Sequence, residues 1–79
     1  MSEAFLLITC EIGKEDGVMK QLASVEDVKE IKKTVGVYDI IAKVESDSEK
    51  DLRKVVSSKI RNMDPVRSVL VLESINRRL

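Results

Sequence analysis

A glycine, a tyrosine and a carboxylate stand together near the middle of this chain. They lie in the stretch Thr34-Val35-Gly36-Val37-Tyr38-Asp39, which runs into Ile40-Ile41-Ala42-Lys43-Val44. Residues of these types can hold a small zwitterion. A carboxylate such as Asp39 partners an ammonium group, and the backbone N–H groups of an open glycine turn partner a carboxylate. The Tyr38 ring offers a face to a side chain and a hydroxyl that orients it. Gly36 is the only glycine after residue 17, and glycine takes a positive φ without steric cost. The same residues also suit a plain hairpin turn, in which Asp39 bonds local backbone and Tyr38 packs. Gly36, Val37, Tyr38 and Asp39 are therefore the candidate ligand-binding residues, and the surrounding elements decide what they do.

Other chemistries are thinly supplied. The chain has no histidine, no tryptophan and a single cysteine, Cys10. Histidine-based triads and the usual zinc ligand sets are thereby excluded, and neither a cofactor nor a metal is expected. One cysteine makes no internal disulfide, which agrees with a reducing compartment, and Cys10 reads as a small core residue. Lys plus Arg equals Asp plus Glu, 14 each, so no long-range field draws the chain to nucleic acid or to an acidic membrane. No apolar run approaches the roughly 20 residues of a membrane span. The start Met1-Ser2-Glu3 lacks a basic segment and is not expected to be a signal peptide, so a cytoplasmic location is expected. Amides are few (Gln21, Asn62 and Asn76) against 35% charged residues, a balance that suits a thermophile.

With 79 residues the chain is expected to form one domain, and a domain of this size buries only about 60% of its unfolded surface, so it gains from a partner. Ala4 to Ile12 is rich in β-formers and predicts a strand. Lys14 to about Ala23 predicts a helix, with Val18, Met19 and Leu22 at helical spacing and Glu15 and Asp16 in the first turn. Val28 to Thr34 alternates and carries lysines, as a solvated edge strand does. A tight link of two to four residues around Gly36 leads to a third strand over Tyr38 to Glu45, which makes an antiparallel hairpin. Either Asp47 or Ser48 can cap a second helix, Ser48 with Asp51 three residues on resembling a capping box, and that helix runs to about Asn62 and presents Leu52, Val55, Val56, Lys59 and Ile60. Asp64-Pro65 marks a turn, Val66 to Ile75 a fourth strand, and Asn76 to Leu79 a polar tail.

The order β-α-β-β-α-β, with right-handed crossovers, predicts an α+β, ferredoxin-like fold: a four-stranded antiparallel sheet with both helices on one face. Strands one, three and four are apolar at both parities, for example Phe5 and Leu7 against Leu6 and Ile8. Two helices cover one face only. The other face is a large apolar surface, so a homodimer packed sheet to sheet is expected.

With the order and the turn in place, the chain resembles the effector-binding (RAM) domain of the Lrp/AsnC family of transcriptional regulators. The resemblance rests on Phe5 to Ile12 ending at Gly13-Lys14-Glu15, on the Gly36-x-Tyr38-Asp39 turn running into Ile40-Ile41-Ala42-Lys43-Val44, and on Val66-Arg67-Ser68 opening the last strand. It implies dimers through the open sheet face, higher rings of dimers, and an amino-acid effector bound between dimers near Gly36 to Asp39. It also implies a stand-alone form without the family's helix-turn-helix DNA reader. Such a chain would not bind DNA or a membrane itself, would have no enzymatic activity, and would reach transcription by co-assembling with a full-length Lrp/AsnC-type regulator or by buffering an effector. Val35, Val37, Val69 and Val71 are expected to make the pocket partly apolar. The same strand order also fits an ACT-like amino-acid regulatory domain, and an assembly or adaptor subunit that binds no small molecule. A metal chaperone of this fold would need a Cys-x-x-Cys pair, and an RNA-binding sheet would need more stacking aromatics than Phe5 and Tyr38.

Overall fold

The computed structural model describes residues 1–73. Strand β1 spans Ser2–Cys10, helix α1 Glu15–Ala23, β2 Val28–Lys33, β3 Ile40–Ser46, α2 Glu49–Val55 and β4 Val66–Glu73. The sheet order is β2-β3-β1-β4, and every neighbouring pair is antiparallel. This is the ferredoxin-like arrangement that the order of elements predicts.

Parity along the strands decides the core. Ala4, Leu6, Ile8 and Cys10 of β1 are buried, as are Ile40, Ala42 and Val44 of β3. They meet Val18 and Leu22 of α1 and Leu52, Val56 and Ile60 beyond the sheet. Each large side chain so buried stabilises the fold by about 1.5–3 kcal/mol relative to exposure. Of the two candidate caps, Ser48 is the one that closes α2: its backbone is extended and its hydroxyl accepts from the Asp51 amide at 3.1 Å. Helix α1 has no side-chain cap at Lys14, so Glu15 and Asp16 in the first turn carry the favourable charge there.

Three expectations need correction. The second helix does not run unbroken to Asn62: α2 passes into a π-helical turn over Val56–Ile60, where Arg61 N–H reaches back to the Val56 carbonyl at 2.9 Å. One extra residue in that turn keeps Ile60 and Met63 buried while the chain heads for β4. The link between β2 and β3 is not a two- to four-residue turn but the six residues 34–39, so Tyr38 and Asp39 precede β3 rather than lie in it. Val69 and Val71 pair with Ile8 and Leu6 and face the helices, so they cannot line a pocket at the open face. The expected extension of β4 to Ile75 and the polar tail 76–79 lie outside the described residues.

Candidate functional site

The loop 34–39 is closed by its own polar groups. Thr34 N–H donates to the Asp39 carbonyl at 2.9 Å, and the Thr34 hydroxyl donates to the Tyr38 carbonyl at 2.7 Å. Between these clasps the chain bulges outward. Gly36 has φ +132, a conformation that side chains rarely adopt, yet a Cβ there would meet nothing within 4 Å. Backbone conformation, not a close approach by the rest of the chain, is what calls for glycine. Val35 and Val37 stand almost wholly in solvent on either side of it.

Asp39 is anchored to the sheet rather than to its own turn. The β1–β3 ladder ends at the pair Ile8 and Ile40. One step further, Asp39 N–H donates to the Ile8 carbonyl at 2.9 Å, and its carboxylate Oδ2 accepts from the Cys10 amide, also at 2.9 Å. The side chain thus replaces the carbonyl that a longer β3 would have offered. No hydrogen bond to the second oxygen, Oδ1, is formed at the distances of the Oδ2 contact among the described residues, and the Cys10 thiol is the other group beside the carboxylate. Cys10 itself lies in the core, and its pKa is raised, first by burial and then by the Asp39 carboxylate beside it.

Gly36, Val37, Tyr38 and Asp39 therefore stay together on one loop at one end of the sheet, with Tyr38 and Asp39 half-buried and Gly36 and Val37 exposed. None of the described cavities is lined by them. A polar hollow near the opposite end, about 540 Å³, is bordered by Asp27, Ser46, Asp47, Asp51 and Lys54. Among the described residues the loop is a projection. Sequence reasoning missed the residues that hold this end of the sheet: the Cys10 amide, the Thr9–Ser68 hydroxyl pair at 2.5 Å, and the irregularity in β4 at Arg67. A backbone donor carries no signal in a sequence, and neither does a register shift.

Comparison with family models gives a match to the Lrp/AsnC ligand binding domain over residues 3–78. The chain belongs to that family. Among solved structures, this Lrp/AsnC domain is similar to FFRP-DM1, with 39% identity, a TM-score of 0.92 and coverage of 95% of this chain and 100% of that one. It is also similar to Escherichia coli AsnC, with 25% identity and a TM-score of 0.90, where it covers 99% of this chain and 53% of that one. The transcriptional regulator NMB0573 of Neisseria meningitidis, solved as a complex with L-Met, has 10% identity and a TM-score of 0.85, over 95% of this chain and 50% of that one. At that identity the likeness shows the fold alone. The domain thus spans about half of the AsnC and NMB0573 chains. Comparison with curated protein sequences gave no match. The family makes this a ligand-binding domain of the kind that serves transcriptional regulators. No helix among the described residues is long and apolar enough to cross a membrane.

Proposed function

We propose that this Lrp/AsnC domain senses a free amino acid at the loop of residues 36–39 and assembles through its open sheet face, acting on transcription in the cytoplasm through a partner regulator. The observation that carries the reading is the half-satisfied carboxylate of Asp39. One oxygen is fixed by the Cys10 amide, which orients the group, and the other is left for an ammonium. The open backbone around Gly36 supplies N–H groups, and the exposed Val35 and Val37 bring an apolar surface to the same place. Enclosure comes from a neighbouring dimer, because residues 36–39 line none of the cavities found among the described residues.

Assembly is supported by the apolar half of the open face, where Phe5, Leu7, Leu70 and Leu72 sit across neighbouring strands. Equal numbers of acidic and basic residues support a role in which the domain does not grip DNA itself. A gel shift with the purified domain is expected to show no specific complex, and a salt-resistant one would overturn that part of the reading.

The rival reading is an assembly subunit with no small-molecule ligand, and the lack of a cavity at residues 36–39 among the described residues favours it. A calorimetric screen of the twenty L-amino acids separates the two. Binding of at least one, weakened about ten- to a hundredfold by Asp39→Asn, is expected from loss of a charge-assisted bond worth roughly 1.5–3 kcal/mol. Asparagine keeps an acceptor for the Cys10 amide and removes only the charge. If no amino acid binds, the assembly reading stands alone.

A further inference from the structure

Arg67 is the residue of β4 that the strand register leaves over. Thr9 of β1 pairs with Ser68, but Cys10, the next residue, pairs with Val66, so Arg67 faces no partner across the strands. An extra residue of this kind is a β-bulge, which bends the strand and re-aims a side chain. This bulge is pinned on both sides. The Thr9 and Ser68 hydroxyls meet at 2.5 Å before it, and the Glu11 amide donates to the Pro65 carbonyl at 2.8 Å beyond it. The arginine that it presents is exposed and has no carboxylate within ion-pair distance among the described residues, whereas Arg53 is paired with Glu49 and Glu73.

The bulge lies at the sheet end that also carries Asp39. Cys10 is flanked on the β3 side by the Asp39 carboxylate, which accepts from its amide, and on the β4 side by Val66 and Arg67. Both charges act on the Cys10 thiol, Asp39 raising its pKa and Arg67 lowering it. Strand β3, which follows Asp39, and β4, which bears Arg67, lie on either side of β1, two strand spacings or about 10 Å apart. The two groups make no ion pair with each other, and they flank the same strand end on either side of Cys10.

We propose that Arg67 is the carboxylate-binding residue of the effector site, closing a two-point clamp in which Asp39 Oδ1 takes the ammonium of a free α-amino acid. This rests on the amino-acid reading above and adds its second charge. The planar fork of a guanidinium suits a carboxylate, which it binds through two parallel N–H donors. The ligand class is then narrow: an α-amino acid with both groups free, and not its amide or its N-acetyl derivative.

The test is calorimetry on the full chain. The twenty L-amino acids are titrated first, and then the carboxamide and the N-acetyl derivative of whichever binds most tightly. Wild type is expected to prefer the free acid to its carboxamide by tenfold or more. Arg67→Gln is expected to lose that preference and bind both alike, and Arg67→Lys to keep part of it. Asp39→Asn is expected to keep the preference for acid over amide while losing discrimination against the N-acetyl form. A residue with a merely structural role would weaken all ligands together. If Arg67→Gln keeps the wild-type preference, Arg67 does not hold the carboxylate, although the amino-acid reading survives. If none of the twenty binds wild type, that reading fails and the clamp fails with it.

Discussion

On its helix side the sheet presents Leu6, Ile8, Ile40, Ala42 and Val44, none with any exposed area. On its other side Phe5, Leu70 and Leu72 keep 41, 45 and 48% of theirs. The residue types are much the same, and the difference is who covers them. Strand alternation sends successive side chains to opposite faces, and the two helices of this fold reach only one. The covered face holds the monomer together, whereas the uncovered one has no structural need to be apolar in a single copy. The open face is itself divided. Over β4 and β1 it is apolar, while toward β2 the Lys43 ammonium sits among Glu3, Glu30 and Glu45 at 3.6–3.8 Å. Such surface pairs contribute little individually, so their use here is to fix Lys43 and to leave an acidic border beside an apolar surface.

The sharpest way to break this contrast is to cut the same residue type on each face. Leu6→Ala is expected to cost about 2–5 kcal/mol in denaturant unfolding, because it opens a cavity among fully buried neighbours. Leu72→Ala, at a dilution where the chain is monomeric, is expected to cost under about 1 kcal/mol. Equal costs would mean that the open face contributes to the monomer core after all.

Charge on the open face is the next test. Leu70→Lys combined with Leu72→Lys is expected to leave the circular dichroism spectrum intact while light scattering falls to the 8.9 kDa of one chain. Buried at an interface, two unpaired ammonium groups cost several kcal/mol, which few small dimers survive. A wild type that already scatters as a monomer at micromolar concentration would remove the assembly through this face.

Between the two faces lies the strand end, where stability and the proposed binding meet in one residue. Asp39→Ala strips the Cys10 amide of its acceptor and is expected to lower stability by about 1–3 kcal/mol. Asp39→Asn is expected to lower it by less than half as much, since an acceptor remains. If both variants unfold at the wild-type midpoint, the Asp39–Cys10 bond is not formed in solution.

Alternation and punctuation made the element order legible in the sequence, and with it the fold. What stayed hidden has a common cause. In β4 both parities are apolar, so spacing alone cannot say which set faces the helices. Val69 and Val71 read as pocket residues until pairing with Ile8 and Leu6 put them on the covered side. The bulge at Arg67 shifts the parity midway and leaves no trace in residue type. At the loop, glycine with Tyr38 and Asp39 signalled a turn correctly, but the length of the link depended on Asp39 ending the ladder with its side chain. The carboxylate was legible as a candidate, and its anchoring to β1 was not.

The smallest expected effect compares the two faces through titration. Cys10 belongs to the covered side, and its thiol pKa is raised from 9.0, chiefly by burial. Lys43 belongs to the open side, and its pKa is raised from 10.5, chiefly by Glu3 and against the cost of desolvation. Below pH 9.0 the thiol keeps its proton in both folded and unfolded chains and contributes no pH dependence. Above it the unfolded thiol ionises while the folded one does not, so stability falls as pH rises. The Lys43 contribution is present below its unfolded value of 10.5 and is lost only as pH climbs through the higher folded value. Thermal melts from pH 8 upward should therefore begin to fall near pH 9. Cys10→Ala should flatten that first part of the fall, and Lys43→Gln should flatten only the part beyond 10.5. If Cys10→Ala follows the wild-type curve between these values, the thiol is reachable by water and the sheet end around Asp39 is more open than its hydrogen bonds suggest.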